Sequence, residues 1–152
     1  MFRSFAFEED MRETLTMIPL AVRRKLDLAG LKIGRADWES LPYVEREVLC
    51  HLPVDEDLEV RIYRDALVHF ASRASISLTA IEPHERDRSQ WSGDRVPTIV
   101  QARLSTTHLR LTHAWSALDD EARYCVYKYA QPEKREERFV ALVLELGGER
   151  IA

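Results

Sequence analysis

The feature that most constrains the fold is a pattern that occurs twice in the chain. The segment Ile-Pro-Leu-Ala-Val-Arg-Arg-Lys-Leu at residues 18–26 returns as Val-Pro-Thr-Ile-Val-Gln-Ala-Arg-Leu at residues 96–104, an offset of 78. Leu-Lys-Ile at residues 31–33 returns at the same offset as Leu-Arg-Leu at residues 109–111. Because a unit of this size is too small to close a hydrophobic core alone, the pattern predicts two similar halves packed against each other.

Two further pairs of residues match between the halves. Trp38 and Arg46 return as Trp115 and Arg123, now at an offset of 77. Because large aromatic side chains dominate core energetics, we expect both tryptophans to be core residues, with cofactor stacking as the alternative. We expect each arginine to bind the carbonyls of a connector or a carboxylate, with ligand binding as the alternative.

Apolar residues recur with helical spacing through most of the chain. A helix that begins at Pro42 is predicted to turn four apolar residues inward: Val44, Val48, Leu49 and Leu52. The next helix, from about residue 55 to residue 73, is predicted to bury a stripe formed by Leu58, Ile62, Ala66, Leu67 and Phe70. Asp119 occupies the position of Pro42 in the second half, where its carboxylate is expected to cap a helix.

The predicted fold is therefore all-α, with residues 1–152 as a single domain. It is built from two tandem, pseudo-two-fold related helical repeats of about three helices each, at approximately residues 18–73 and 96–146. Residues 75–95, which have no apolar periodicity, are predicted to form a linker that mainly spans distance, with a functional role as the alternative. Gly30 is expected to end a helix, and because its counterpart is His108, a backbone angle that only glycine can adopt is not required in both repeats.

Composition excludes several classes of protein. The formal net charge of −4 argues against general nucleic-acid binding, which requires a basic surplus. No apolar stretch approaches the length of a membrane span, and the first ten residues lack the apolar core of a secretory signal. With only two cysteines, Cys50 and Cys125, at unmatched positions, the chain is expected to be cytoplasmic and without a disulfide or metal framework.

Common catalytic motifs are missing from the sequence. It contains no glycine-rich phosphate loop, no Cys-x-x-Cys, no His-Glu-x-x-His and no Gly-x-Ser-x-Gly. Cys50 and His51 are adjacent, but neighbouring helical residues point about 100° apart and rarely bind one metal, so a buried thiol beside a surface histidine is expected. We therefore predict a non-enzymatic protein with no catalytic residue, no metal and no cofactor.

Basic residues form the candidate binding surface. They are Arg23, Lys25, Lys32, Arg103 and Arg110, of which Lys25 matches Arg103 and Lys32 matches Arg110. Such residues could line a basic cleft where the halves meet, suited to an anion, a phosphate-bearing cofactor or an acidic partner surface. The alternative is that they are solvated charges on helix faces.

The first repeat contains a specific run of residues: Ile18-Pro19-x-x-Val22-Arg23-x-Lys25-Leu26-Asp27-x-x-Gly30, then Trp38, Glu45-Arg46 and Leu52-Pro53. In this run the chain resembles the nitrate-reductase-associated protein family of bacteria, and the resemblance extends from Phe5 through the Val96-Pro97 block. Val54 departs from the family pattern, which has a cysteine after Leu-Pro. The resemblance implies a role in support of assimilatory nitrate reductase, a cytoplasmic molybdenum and iron–sulfur enzyme.

Two hypotheses for function follow. The first is a non-enzymatic accessory protein that binds nitrate reductase, through the basic residues and the linker, and supports its maturation, cofactor assembly or activity. The alternative is a helical module that binds an anion or a phosphorylated cofactor between the halves and acts as a sensor or carrier. A free ligand should raise the thermal stability of such a module, whereas it should leave a pure partner-binding protein unchanged.

Overall fold

The computed structural model describes residues 2–82 and 88–152. It is mostly helical, with 58% of residues in helices and only small two-stranded sheets, which confirms the predicted helical class. The helices of the described part are α1 (Glu9–Arg12), α2 (Leu20–Ala29), α3 (Arg35–Ser40), α4 (Tyr43–His51), α5 (Asp57–Arg73), α6 (Ser89–Ser92), α7 (Thr98–Thr106), α8 (Asp120–Tyr129) and α9 (Glu136–Glu145). The strands are β1 (Leu31–Lys32), β2 (Thr79–Ala80), β3 (Leu109–Arg110) and β4 (Glu149–Arg150), and short 3₁₀ turns lie at Ala6–Glu8 and Trp115–Ala117.

The chain divides into two compact units. Within the described residues, unit 1 comprises 2–4 and 8–82, and unit 2 comprises 5–7 and 88–152. Part of the predicted linker 75–95 lies outside the described residues, and the flanking parts contain β2 and α6. The single domain and the pseudo-two-fold duplication stay predictions.

Unit 1 is built around α2, which packs against α5 and α4. Pro19 precedes α2 in an extended conformation, which suits a residue with no backbone N–H to offer. Val22 and Leu26 from α2 are buried together with Leu49, and Tyr63 and Leu67 of α5 complete this part of the core. In the same unit, β1 and β2 pair antiparallel, with Leu31 opposite Ala80.

Unit 2 is organised around α8, which packs against α6, α9 and α7. The Asp119 carboxylate accepts the backbone N–H of Ala122 at 2.7 Å, so this residue caps α8 as the sequence predicts. The core of this unit includes Tyr124, Phe139 and Leu142, all almost completely buried. Strands β3 and β4 pair antiparallel beside it.

The predicted inner faces of α4 and α5 are partly wrong. Val44 is 71% exposed and Val48 is 36% exposed, while Leu58 and Ile62 are 60% and 50% exposed. The buried residues are Leu49 and Cys50 on α4, and Tyr63, Leu67 and Ala71 on α5, so the prediction is right for Leu49 and Leu67. At 100° per residue, Leu58 and Ile62 lie on the side of α5 opposite the buried row, because Tyr63 and Leu67 define the face that meets α2.

Gly30 and His108 both have left-handed backbone angles. Gly30 ends α2 with φ of +74°, and His108, its counterpart after α7, has φ of +53°. Both helices are thus followed by a left-handed residue, and at His108 that angle carries the steric cost of a side chain in this region.

Because one left-handed position holds glycine and the other histidine, substitutions at Gly30 and His108 should have unequal effects on stability. Gly30→Ala should lower the free energy of unfolding by about 1–2 kcal/mol, because a Cβ is disfavoured at that φ. His108→Gly should change it by less than about 1 kcal/mol, since relief of strain is offset by the larger entropy of the unfolded chain. Urea unfolding of both variants measures the two free energies of unfolding. Equal losses would contradict a left-handed angle that favours glycine at residue 30.

Candidate functional site

In unit 1, Trp38 and Arg46 converge on one backbone carbonyl. The indole Nε1 of Trp38 and the Nη1 of Arg46 each donate to the oxygen of Leu15, both at 2.8 Å. The same guanidinium nitrogen also donates to the Thr14 oxygen at 3.0 Å. Leu15 itself is fully buried at φ of +49°, so the two donors stabilise a strained residue in the segment that precedes α2.

Unit 2 contains the corresponding contacts of Trp115 and Arg123. The Trp115 Nε1 donates to the oxygen of Trp91 at 3.0 Å, and Arg123 donates to the oxygen of Ser92 at 2.9 Å. Both tryptophans are buried, with Trp38 at 0% and Trp115 at 2% exposure. The structure therefore places all four matched side chains where they organise backbone, in contact with the segment that precedes α2 or α7.

Two of the five basic candidates also bind backbone carbonyls. The Lys25 Nζ donates to the oxygens of Cys50 and Leu52, both at 2.6 Å, at the C-terminal end of α4. Arg103 donates to the oxygen of Lys134 at 2.9 Å, in the connector between α8 and α9. A cation near the unpaired carbonyls at a helix end is favourable, so Lys25 stabilises the end of α4, while Arg103 holds the connector that precedes α9.

The other three basic candidates lie apart. Arg23 is half-buried on α2, Lys32 is exposed on β1, and Arg110 is exposed on β3, where it pairs with Glu149. Arg23, Lys25 and Lys32 belong to unit 1, and Arg103 and Arg110 to unit 2. The basic cleft between the halves stays a prediction.

A thiol, a phenol and an ammonium group lie close together in the core of unit 1. The ammonium of Lys25 lies 5.9 Å from the centre of the Tyr63 ring, and Cys50 and Tyr63 are both fully buried. Burial, reinforced by the charge of Glu47, raises the pKa of Cys50 to about 12, and Lys25 only partly opposes this shift. Burial likewise raises the pKa of Tyr63. At neutral pH the thiol is protonated and therefore a poor nucleophile or metal ligand.

These shifts predict a loss of stability in alkali. Cys50 has a higher pKa when folded than its usual value of 9.0, so the unfolded chain releases the proton first and stability falls as pH rises from about 9 toward 12. Each such group contributes up to about 1.4 kcal/mol per pH unit. Urea titrations between pH 8 and 11 should show this slope, and Cys50→Ala should reduce it. A slope unchanged in the variant would contradict the assignment.

Four exposed apolar residues of unit 1, Val44 and Val48 on α4 and Leu58 and Ile62 on α5, are called here the outer face of α4 and α5. Each helix contributes two of these residues at i,i+4 spacing, so each presents one short apolar ridge to solvent. Sequence reasoning assigned these residues to the core. The signal that separates the two faces is the second row on α5, Tyr63 and Leu67, which is the row that packs inward.

A second apolar surface lies on α9 in unit 2. A groove with a volume of about 610 Å³ is lined by Glu136, Glu137, Val140, Ala141, Leu144 and Arg150. The groove is not evident from the sequence, because Arg150 reaches it only through the turn that follows α9 and the pairing of β4 with β3.

The described residues offer little for other kinds of site. Among residues 2–82 and 88–152, no group of three or more His, Cys, Asp or Glu side chains is arranged to bind a metal ion. None of the helices in this part of the chain combines the length and apolar character needed to cross a membrane. His84, one of the histidines of the sequence, lies outside the described residues.

Among the comparisons with known proteins, one family model matches the chain. No curated protein and no solved structure matches the chain. A family model described as conserved nitrate reductase-associated protein matches residues 4–146, which is nearly the whole chain. The protein therefore belongs to the family of conserved nitrate reductase-associated proteins, as the run of residues from Ile18 to Pro53 predicts.

Proposed function

We propose that this chain is a non-enzymatic accessory protein that binds nitrate reductase and supports its maturation, cofactor assembly or activity. Membership of the nitrate reductase-associated family supports the choice of partner. The observation that supports a binding role is the outer face of α4 and α5, with its four large apolar side chains between 36% and 71% exposed. Because α4 and α5 pack against each other, we propose that these residues together form an apolar patch of the kind that binds another protein.

The energetics favour apolar contacts over the basic candidates. Full burial of one large aliphatic side chain contributes about 1.5–3 kcal/mol, so four of them supply much of the stability of a specific complex. Lys25 and Arg103 already donate to backbone carbonyls, so changing Lys25 would disturb the end of α4 and changing Arg103 would disturb the connector between α8 and α9. We therefore assign the principal contact to the outer face of α4 and α5, in place of the basic residues.

Affinity purification from nitrate-grown native cells tests the proposal. The tagged protein should recover nitrate reductase in stoichiometric amount, and the double variant Val44→Glu/Ile62→Glu should not. Val68→Glu is the matched control, because Val68 is 45% exposed on α5 but lies about 80° around the helix from Leu58 and about 120° from Ile62. It should recover the enzyme normally.

The same purification can also refute the proposal. Recovery of the folded wild-type protein alone, or equal recovery of nitrate reductase by the double variant, would contradict it. A thermal melt of each variant establishes that it is folded. Stabilisation of the wild-type protein by inorganic phosphate would instead support the anion-binding alternative, since a ligand that binds only the native state raises the melting temperature.

A further inference from the structure

The α9 groove has an apolar floor that α9 itself provides. Val140, Ala141 and Leu144 lie on the side of the helix turned away from the buried residues Phe139, Leu142 and Val143. Leu144 is 38% exposed, and Ala141 between the two larger residues leaves room for a second helix to approach closely. The floor is therefore shaped to receive a helix or another elongated apolar surface.

The groove also contains charges of both signs. Glu136 and Glu137 belong to the first turn of α9, and Arg150 lies on β4. Gly148, two residues before Arg150, packs against Val143 in the C-terminal half of α9, so β4 begins beside that half. Among the described residues these three side chains form no ion pair with one another or with other groups. None of the three therefore has an ion-pair partner among the described residues.

We infer that the α9 groove binds the α9 groove of a second copy of this chain, in an antiparallel arrangement about a two-fold axis. A two-fold interface requires a patch that complements itself, and a patch with an apolar centre and both signs of charge meets this requirement. Val140 and Leu144 of one copy pack on the same residues of the other. The glutamates of each copy face the arginine of its partner.

The inference is independent of the proposed function. The groove lies in unit 2, whereas the outer face of α4 and α5 lies in unit 1. A protein that self-associates without binding nitrate reductase, or binds it as a monomer, would refute one proposal and leave the other intact.

Charge reversal gives a sharp test by analytical ultracentrifugation. The wild-type protein should show a concentration-dependent monomer–dimer equilibrium. Arg150→Glu makes the groove wholly acidic, and Glu136→Arg/Glu137→Arg makes it wholly basic. Each variant alone should dimerise at least tenfold more weakly, whereas an equimolar mixture should form heterodimers with affinity near that of the wild type.

A substitution in the apolar floor of the α9 groove gives a second test of the dimer. Leu144→Glu should abolish the dimer, and Val68→Glu, in unit 1, should leave it unchanged. A wild-type protein that is monomeric at all concentrations, a dimer insensitive to Leu144→Glu, or a mixture of the two charge variants that stays monomeric would each overturn the inference.

Discussion

Replacing Trp38 with alanine should lower the free energy of unfolding by about 3–5 kcal/mol. The indole is 0% exposed, so its removal leaves a large cavity in unit 1, and the Leu15 oxygen loses one of its two donors. A loss of this size is a large fraction of the stability of an ordinary domain. Urea denaturation followed by circular dichroism measures it.

A milder change separates the two parts of this effect. Trp38→Phe keeps most of the apolar volume and removes the donor, so it should cost about 1–3 kcal/mol, less than the alanine variant. Trp115→Ala should reproduce the large loss in unit 2, where the indole is 2% exposed and donates to Trp91. A change below about 1 kcal/mol for Trp38→Ala would show that the residue is not a core residue.

Gly148→Ala should cost at least about 1–3 kcal/mol, as overpacking does in a closely packed site. A Cβ at this position would lie 2.5 Å from the Cγ1 of Val143, 2.8 Å from the Val143 oxygen and 3.0 Å from the Arg110 oxygen. Because two of these three atoms belong to the backbone, the turn that joins α9 to β4 must shift. Thermal denaturation should therefore show a lower melting temperature.

Gly93 provides the matched control for this substitution. A Cβ built at Gly93 meets nothing within 4 Å, and its φ of −70° is ordinary for any residue. Gly93→Ala should leave stability unchanged or raise it slightly, through the lower entropy of the unfolded chain. Similar losses at both glycines would mean that the tight packing at Gly148 is not present in solution.

Helix positions were predictable because their signals are local. The periodic residues of α2, the prolines before α2 and α4, and the Asp119 cap of α8 all act within a few residues of the helix they define. The helical class and the helix starts follow from such signals without knowledge of the rest of the fold.

The same local signals did not predict which side of α4 and of α5 is buried. On α5 the apolar residues extend around much of the helix, and periodicity alone does not say whether the row of Ile62 or that of Tyr63 and Leu67 meets α2. Tyrosine ranks as intermediate in burial preference, so Tyr63 gave little sign that its row is the inner one. The choice depends on tertiary packing.

The candidate surfaces depend on contacts between residues distant in sequence. Lys25 lies about one turn from the end of a helix, but its partners are carbonyls 25 and 27 residues away, at the end of α4. Arg150 joins Glu136 in one groove only because β4 pairs with β3. Such placements follow from the closed fold, and residue type and spacing do not specify them.

The central claim is that the outer face of α4 and α5 binds nitrate reductase. Isothermal titration of purified nitrate reductase with this protein, and with the Val44→Glu/Ile62→Glu and Val68→Glu variants, tests it most directly. We expect a saturable complex with the wild type and Val68→Glu, and an affinity at least 100-fold weaker for the double variant, as for loss of about 3 kcal/mol of apolar contact. No binding by the wild type, or equal binding by all three folded proteins, would contradict the claim.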